Sequence, residues 1–275
     1  MPDKFKAVWV SHSSMSDFLS CPRRYFLRNV YKDPASGHKI TVITPPLSLG
    51  QAVHDVIEEL STLPSEDRFR TPLDKMFTQK WSQVSGIKGG FKNKSIEDEF
   101  YQRGIEMMKK IEQKPGPLVN KAIKIPSEDG LPYYWLSEED NIILCGKIDW
   151  LEFLEESNAV HIIDFKSGKN EEEESSLQLP IYLLLATNTQ KRPVKKASYW
   201  YLYLKDAPEE VNLPDPASAF DKVYQLARRI KLARQIDHFK CPKGGCIHCG
   251  ELEEVFRGKG KKVGISTYGQ DLYIL

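Results

Sequence analysis

Two aspartates and a lysine on neighbouring β runs carry the strongest chemical signal in this 275-residue sequence. Ile142 to Phe153 and Ala159 to Lys166 flank Glu155-Glu156-Ser157-Asn158, residues with turn chemistry. Alternate strand residues share a face, so Asp164 and Lys166 project together, as do Lys147 and Asp149. An antiparallel hairpin turning between Glu156 and Ser157 sets Asp149 directly opposite Asp164. Opposed residues have Cβ atoms about 5 Å apart. Two carboxylates so close repel unless one is protonated or a cation lies between them, and a hard divalent ion such as Mg2+ suits an oxygen site. Asp164 also follows the apolar run Val160-His161-Ile162-Ile163, where an unpaired carboxylate is costly.

Other reactive types are placed less distinctively. His54 lies beside the apolar stripe Leu49, Ala52, Val53, Val56, Ile57 and Leu60, with Gly50 one turn earlier so that another segment can approach. Glu58, at i+4 from His54, is a lesser candidate ligand and reads as solvated. Gln178 and Tyr182 are i and i+4 on one helix face. Cys241, Cys246 and Cys249 fall in a Gly- and Lys-rich segment, and with Cys21 they make four thiols. Four thiols suit an Fe4S4 cluster or a structural Zn2+, and iron–sulfur, zinc and no metal are all open. His248 is an outside candidate ligand, and Cys145 reads as a buried hydrophobe. Basic residues group at Arg23, Arg24 and Arg28; at Lys191, Arg192, Lys195 and Lys196; at Arg228, Arg229, Lys231 and Arg234; and at Arg257, Lys259, Lys261 and Lys262. Basic groups with exposed rings, here Tyr199, Trp200, Tyr201 and Tyr203, suit single-stranded nucleic acid. The Gly-rich loop Arg257 to Lys262 is the best binding candidate, whereas Glu171 to Glu174 reads as a solvated acidic loop that repels DNA.

The elements that must position these groups follow from periodicity. Ser11 to Arg28 reads as a short helix broken by Pro22, and Ser61 to Gly116 as mostly helical with a Gly-rich break at Gly86 to Gly90. Leu118 to Lys166 reads as short β runs, Ser176 to Thr187 as helix and Ala197 to Leu204 as a Tyr-rich strand. Pro216 to Ile236 reads as an amphipathic helix with Phe220, Val223, Ala227 and Ile230 on one side. The order predicts an α/β or α+β chain with one mixed sheet flanked by helices, in a single domain over 1–275. A helical insertion takes up about 61–117, and a cysteine cluster with a basic tail about 237–275. At 40% hydrophobic content the chain can build a core, which excludes a disordered or fibrous protein. A formal net charge of +1 excludes a strongly basic coat protein but not local nucleic-acid contacts. No apolar run reaches membrane length and Met1 to Val10 lacks a signal core, so a cytoplasmic protein is expected, with its five cysteines reduced.

Gly146-Lys147-Ile148-Asp149 followed by Asp164-Phe165-Lys166 resembles the PD-(D/E)XK nuclease superfamily. More narrowly it resembles the branch with RecB- and AddB-type exonuclease domains and the CRISPR-associated adaptation nucleases. Ser13 to Phe18 with Cys21-Pro22-Arg23-Arg24-Tyr25-Phe26 is similar to the branch's N-terminal signature, and Leu49 to His54 to its first catalytic motif. Gln178-Leu179-Pro180-Ile181-Tyr182 is similar to its Gln-x-x-x-Tyr motif, and Cys246 and Cys249 fall where the branch carries C-terminal cysteines. Five motifs in order span Ser11 to Cys249. The resemblance implies a restriction-endonuclease-like core and a Mg2+- or Mn2+-dependent deoxyribonuclease. His54, Asp149, Asp164 and the Phe165 carbonyl would be metal ligands. Lys166 would activate water and offset phosphate charge, with Gln178 and Tyr182 positioning that lysine or the DNA. It also implies a 4Fe-4S cluster on Cys21, Cys241, Cys246 and Cys249, although here Cys241 precedes the C-x-x-C pair rather than following it. Action on single strands or ends in repair, recombination or defence is implied. No Walker motif is present, so unwinding would fall to a helicase partner on another chain. Two rivals are a non-catalytic DNA-binding or scaffold subunit and a cysteine-cluster binding module.

Overall fold

The computed structural model describes residues 3–126 and 130–275. The chain begins with β1 (Val8–Val10), α1 (His12–Ser20) and α2 (Pro22–Tyr25). Ser11 and Ser14 form a reciprocal cap at the start of α1, each hydroxyl accepting the other's backbone N–H. Pro22 sits at the first position of α2, where its missing N–H is harmless, so the helix expected over 11–28 is two helices jointed at Cys21. A wider turn of helix follows over Phe26–Val30.

Next come β2 (Ile40–Val42) and α3 (Pro45–Thr62), whose stripe from Leu49 to Leu60 is wholly buried. Each such aliphatic contributes about 1.5–3 kcal/mol on burial. After α4 (Leu73–Val84) a 3-10 turn at Gly86–Gly89 ends on Gly90 at φ 78°, a backbone shape that suits glycine. In α5 (Lys94–Gln113), Gly104 lets the Phe77 ring of α4 sit where a Cβ would be, 2.0 Å from Phe77 Cζ.

The β region holds β3 (Tyr133–Ser137), β4 (Ile142–Cys145), β5 (Trp150–Leu154) and β6 (Ala159–Lys166). Part of the β stretch expected from Leu118 lies at 127–129, outside the described residues. Helix α6 (Gln178–Thr189) carries Pro180 in its first turn. The chain closes with β7 (Val194–Tyr201), β8 (Glu209–Val211), α7 (Pro216–Gln235), α8 (Gly250–Phe256), β9 (Lys261–Ile265) and β10 (Asp271–Ile274). On α7 the buried side runs Ala219, Val223, Leu226, Ala227 and Ile230, while Phe220 is exposed and stacks on Tyr224, contrary to expectation. No described helix is long and apolar enough to cross a membrane.

Among the described residues the strands form three small sheets, β1-β4-β3, β2-β10-β9 and β5-β6-β7-β8, rather than one. The expected run from Ile142 to Phe153 is two strands, because Gly146 to Asp149 leave strand geometry and end in a bend. Contacts divide the chain into two compact units. One comprises the chain through Thr44, Tyr134–Cys145 and Phe220–Leu275; the other comprises Pro45–Tyr133 and Gly146–Ala219.

In the second unit β5 pairs antiparallel with β6, Trp150 opposite Ile163 and Leu154 opposite Ala159, the register read from the sequence. Strand β6 runs parallel to β7, with Asp164 beside Tyr199 and Lys166 beside Tyr201. Pleating puts Asp164, Lys166, Tyr199 and Tyr201 on one face. The other face packs Trp150, Ile163, Phe165 and Trp200 into the core with α3 to α5. That face also buries a polar chain across three strands. His161 bonds Glu152 through Nδ1 (2.7 Å) and Ser198 through Nε2 (2.8 Å), and Asn120 donates to Glu152 (2.5 Å). In the first unit, buried Asp17 accepts from Arg24, Arg28 and Asn29. Asp271 does the same for Ser36 and Lys262 and bonds His38, joining β10 to both neighbours.

Candidate active site

The chemistry-bearing residues of the second unit converge on the Asp164 face of β6. Asp149 ends the bend before β5, and its carboxyl lies close enough to Asp164 for the two charges to act on each other. Asp149 also accepts the Phe165 backbone N–H at 3.1 Å, and its Oδ1 lies 3.4 Å from His54 Nδ1 on α3. Gly50, one turn before His54, lies against Ser167, with room for a Cβ only at 3.4 Å from its Oγ. The helix backbone therefore approaches the loop that follows Lys166.

Asp164 is only 1% exposed. Burial, then the Asp149 charge, pushes its carboxyl up to about 7 against the pull of Lys166. Asp149 is held below its ordinary value: burial works to raise it, but His54 and the hydrogen bonds from its neighbours outweigh that. The pair thus sits with one carboxyl ready to hold a proton or a cation. Asp164 Oδ1 accepts from Gln178 Nε2 at 2.6 Å. Its Oδ2 is 3.0 Å from Lys166 Nζ, yet no aligned hydrogen bond reaches it. A buried carboxylate oxygen with lone pairs to spare is what a hard cation takes. The donor set His54, Asp149 and Asp164 therefore fits a divalent metal. The imidazole of His54, which burial would keep neutral, is raised above its ordinary value by Asp149 and Asp164.

Lys166 has three acceptors around its ammonium: Asp164 Oδ2, Gln178 Oε1 and Glu172 Oε2, the last at 2.8 Å. Burial would lower its pKa, but Asp164 and Glu172 raise it above the ordinary value, so it stays charged. Gln178 sits at the start of α6 and bridges the site, receiving Lys166 on its carbonyl while its amide donates to Asp164 and to the Tyr182 hydroxyl (3.2 Å). Tyr182 is buried beside both aspartates, and burial and their charges hold its phenol well above the ordinary range. Glu172 gave no sign of itself in the sequence, being one of four consecutive glutamates expected in solvent. Its backbone N–H donates to Tyr201 and its carboxylate binds Lys166. Glu58 is exposed, as expected, and pairs with Lys147 at the surface.

In the first unit Cys21, Cys241, Cys246 and Cys249 place their sulfur atoms within 4.8 Å of one another, and none is in a disulfide. Burial works to raise Cys246, but the Cys249 and His248 backbone N–H groups pull its thiol to about 7. Burial drives Cys249 up to about 12. Cys145 is buried with its thiol raised to about 11, by burial.

The aromatic residues expected to stack on nucleic acid are not exposed. Tyr199, Trp200 and Tyr201 are buried, because β7 is an interior strand of its sheet. Several of the grouped basic residues already have internal partners. Arg23 binds Glu253 and lies between the Phe26 and Phe256 rings, and Lys231 binds Asp140. Lys259 reaches Glu254 at 2.5 Å and Lys262 reaches Asp271 at 2.7 Å, while Arg257 lies 3.7 Å from Glu254. Lys262 stands on β9 with Lys261 rather than in the loop.

A family model described as the PD-(D/E)XK nuclease superfamily matches residues 9–250. The mixed α/β architecture agrees with the restriction-endonuclease-like fold of that superfamily. A search of curated proteins finds no match.

Proposed function

The chain belongs to the PD-(D/E)XK nuclease superfamily, and from that premise we propose that it is a metal-dependent nuclease hydrolysing phosphodiester bonds in DNA. The observation that carries the reading is the pairing of buried Asp164, one oxygen of which lacks an aligned hydrogen bond, with part-buried Asp149, beside a charged Lys166. His54, Asp149, Asp164 and the Phe165 carbonyl would hold Mg2+ or Mn2+, which when bound polarises the phosphate and eases deprotonation of water. Lys166 offers its ammonium to charge developing on the phosphate, and that is worth most in a site shielded from water. Gln178 fixes the relative orientation of Asp164 and Lys166, and Tyr182 holds the Gln178 amide in place.

The finer reading is an exonuclease on single strands or ends, of the RecB- and AddB-like branch. It would act in the cytoplasm in repair, recombination or defence beside a helicase on another chain. The Arg257, Lys259, Lys261 and Lys262 tail would contribute to DNA contact, and the four cysteines would hold a 4Fe-4S cluster or Zn2+. Digestion of 5′- and 3′-labelled single and double strands with Mg2+ or Mn2+ tests this. Asp164→Ala is expected to lower turnover at least ~100-fold, the scale of losing a metal-bound catalytic group. Activity that persists unchanged in Asp164→Ala overturns the site assignment, and DNA binding without cleavage under either metal overturns the nuclease in favour of a scaffold subunit.

A further inference from the structure

We propose that Glu172 is a positioning residue that fixes the Lys166 ammonium at the reacting centre, an inference that rests on the nuclease reading of this site. Lysine has a flexible four-carbon stem, and its ammonium is placed only by what holds it. Here three acceptors surround three N–H groups: Asp164 from the same strand, Gln178 from α6 and Glu172 from the loop between them. They are not equivalent. Asp164 is also a ligand candidate, and lone pairs it gives to a cation are lost to Lys166. Gln178 is neutral. Glu172 is the anion whose hold on the ammonium does not compete with metal binding.

The loop is built to deliver this carboxylate. The Glu172 N–H donates to the Tyr201 hydroxyl at 3.0 Å, and Tyr201 is the β7 residue in register with Lys166. The backbone of Glu172 is thus pinned to the strand position beside the lysine it binds. Its side chain is 23% exposed, in contrast to solvated neighbours such as Glu171. At the loop's far end Ser176 accepts the Gln178 N–H, setting the start of α6. With Gln178 and Glu172 each taking one N–H, the third, on the side where Asp164 Oδ2 lies 3.0 Å away without an aligned hydrogen bond, is the one left for phosphate or water. Three fixed directions for one ammonium are what a chemical step sensitive to ångström misplacement requires.

The test uses the full chain with Glu172→Ala and Glu172→Gln, read in two ways. Steady-state cleavage of labelled DNA should show kcat falling ~10–100-fold in Glu172→Ala with KM within ~3-fold, a loss confined to the transition state. Glu172→Gln keeps an acceptor at the same reach and should recover to within ~5-fold of wild type. The second readout needs no turnover: acylation of Lys166 by a small amine-reactive reagent, followed by peptide mass spectrometry. A released ammonium should label at least ~5-fold faster in Glu172→Ala than in wild type, with Tm within about 2 °C. Unchanged kcat and unchanged labelling overturn the proposal. So does faster turnover with tighter DNA binding, which would make Glu172 an obstacle that phosphate displaces. If Glu172→Ala fails to fold, the labelling comparison on Glu172→Gln decides: loss of the charge that holds the ammonium should speed acylation of Lys166 there, and labelling unchanged from wild type overturns the proposal. If wild type cleaves no DNA, the nuclease reading fails and the labelling result alone judges Glu172.

Discussion

Gln178 occupies a junction that few side chains could fill. One amide offers a carbonyl to Lys166 and an N–H2 group to Asp164 and Tyr182, so it serves a cation, an anion and a hydroxyl at once. Gln178→Ala removes all three links and should lower kcat ~10–100-fold, whereas Tyr182→Phe removes one neutral contact of about 1 kcal/mol and should stay within ~10-fold. Equal effects in a cleavage assay would show that the amide is not the bridge. The i, i+4 spacing of Gln178 and Tyr182 made the pairing readable, because helix geometry alone puts both on one face. Glu172 was not readable. Which of four adjacent glutamates meets Lys166 depends on the path of a loop and on a Tyr201 hydroxyl far along the chain, and neither leaves a local pattern.

The hairpin of β5 and β6 shows why registers can be read while strand ends cannot. With the turn centred between Glu156 and Ser157, spacing pairs Trp150 with Ile163 and Leu154 with Ala159, as the structure has them, while Asp149 lies in the bend just before the paired residues. The break between β4 and β5 was hidden, since Gly146 to Asp149 continue the β-like composition while their backbone bends. Element ends elsewhere are set by buried charge. Asp271 ties β10 to Lys262 of β9 and to Ser36 and His38 before β2. Burial works to raise its pKa, but these partners bring it down to about 2. A carboxyl depressed on folding stabilises above its unfolded value near ~4 and loses that contribution as pH falls towards the folded value. The Tm gap between wild type and Asp271→Asn should therefore be constant at about pH 5–7 and close between about pH 4 and pH 2. A gap that does not narrow on acidification would mean that the charge on Asp271 does not stabilise this sheet.

For the whole molecule, the net charge of +1 conceals heavy internal neutralisation. Arg24 and Arg28 share Asp17, Lys231 has Asp140, Lys259 has Glu254 and Lys262 has Asp271, so grouped basic residues are a poor guide to free positive charge. Cysteine spacing is the better long-range signal. Cys21 and the trio Cys241, Cys246 and Cys249 come from opposite ends of the sequence, yet their sulfur atoms lie within 4.8 Å. Four thiols gathered without a disulfide have little reason to meet unless something binds them as thiolates, and the lowered thiol of Cys246 is ready to begin that. A metal or cluster there cross-links a very long loop, and closing a loop of ~100 residues or more is worth about 4–5 kcal/mol. At about 2–4 °C per kcal/mol, stripping the metal from anaerobically purified protein should lower Tm by ~10 °C. The same sample should hold ~4 iron atoms for a 4Fe-4S cluster, or ~1 zinc. Cys246→Ser should reproduce the loss without chelator. If the protein carries neither metal and melts at the same temperature as Cys246→Ser, the four sulfurs are packing partners and the cross-link does not exist.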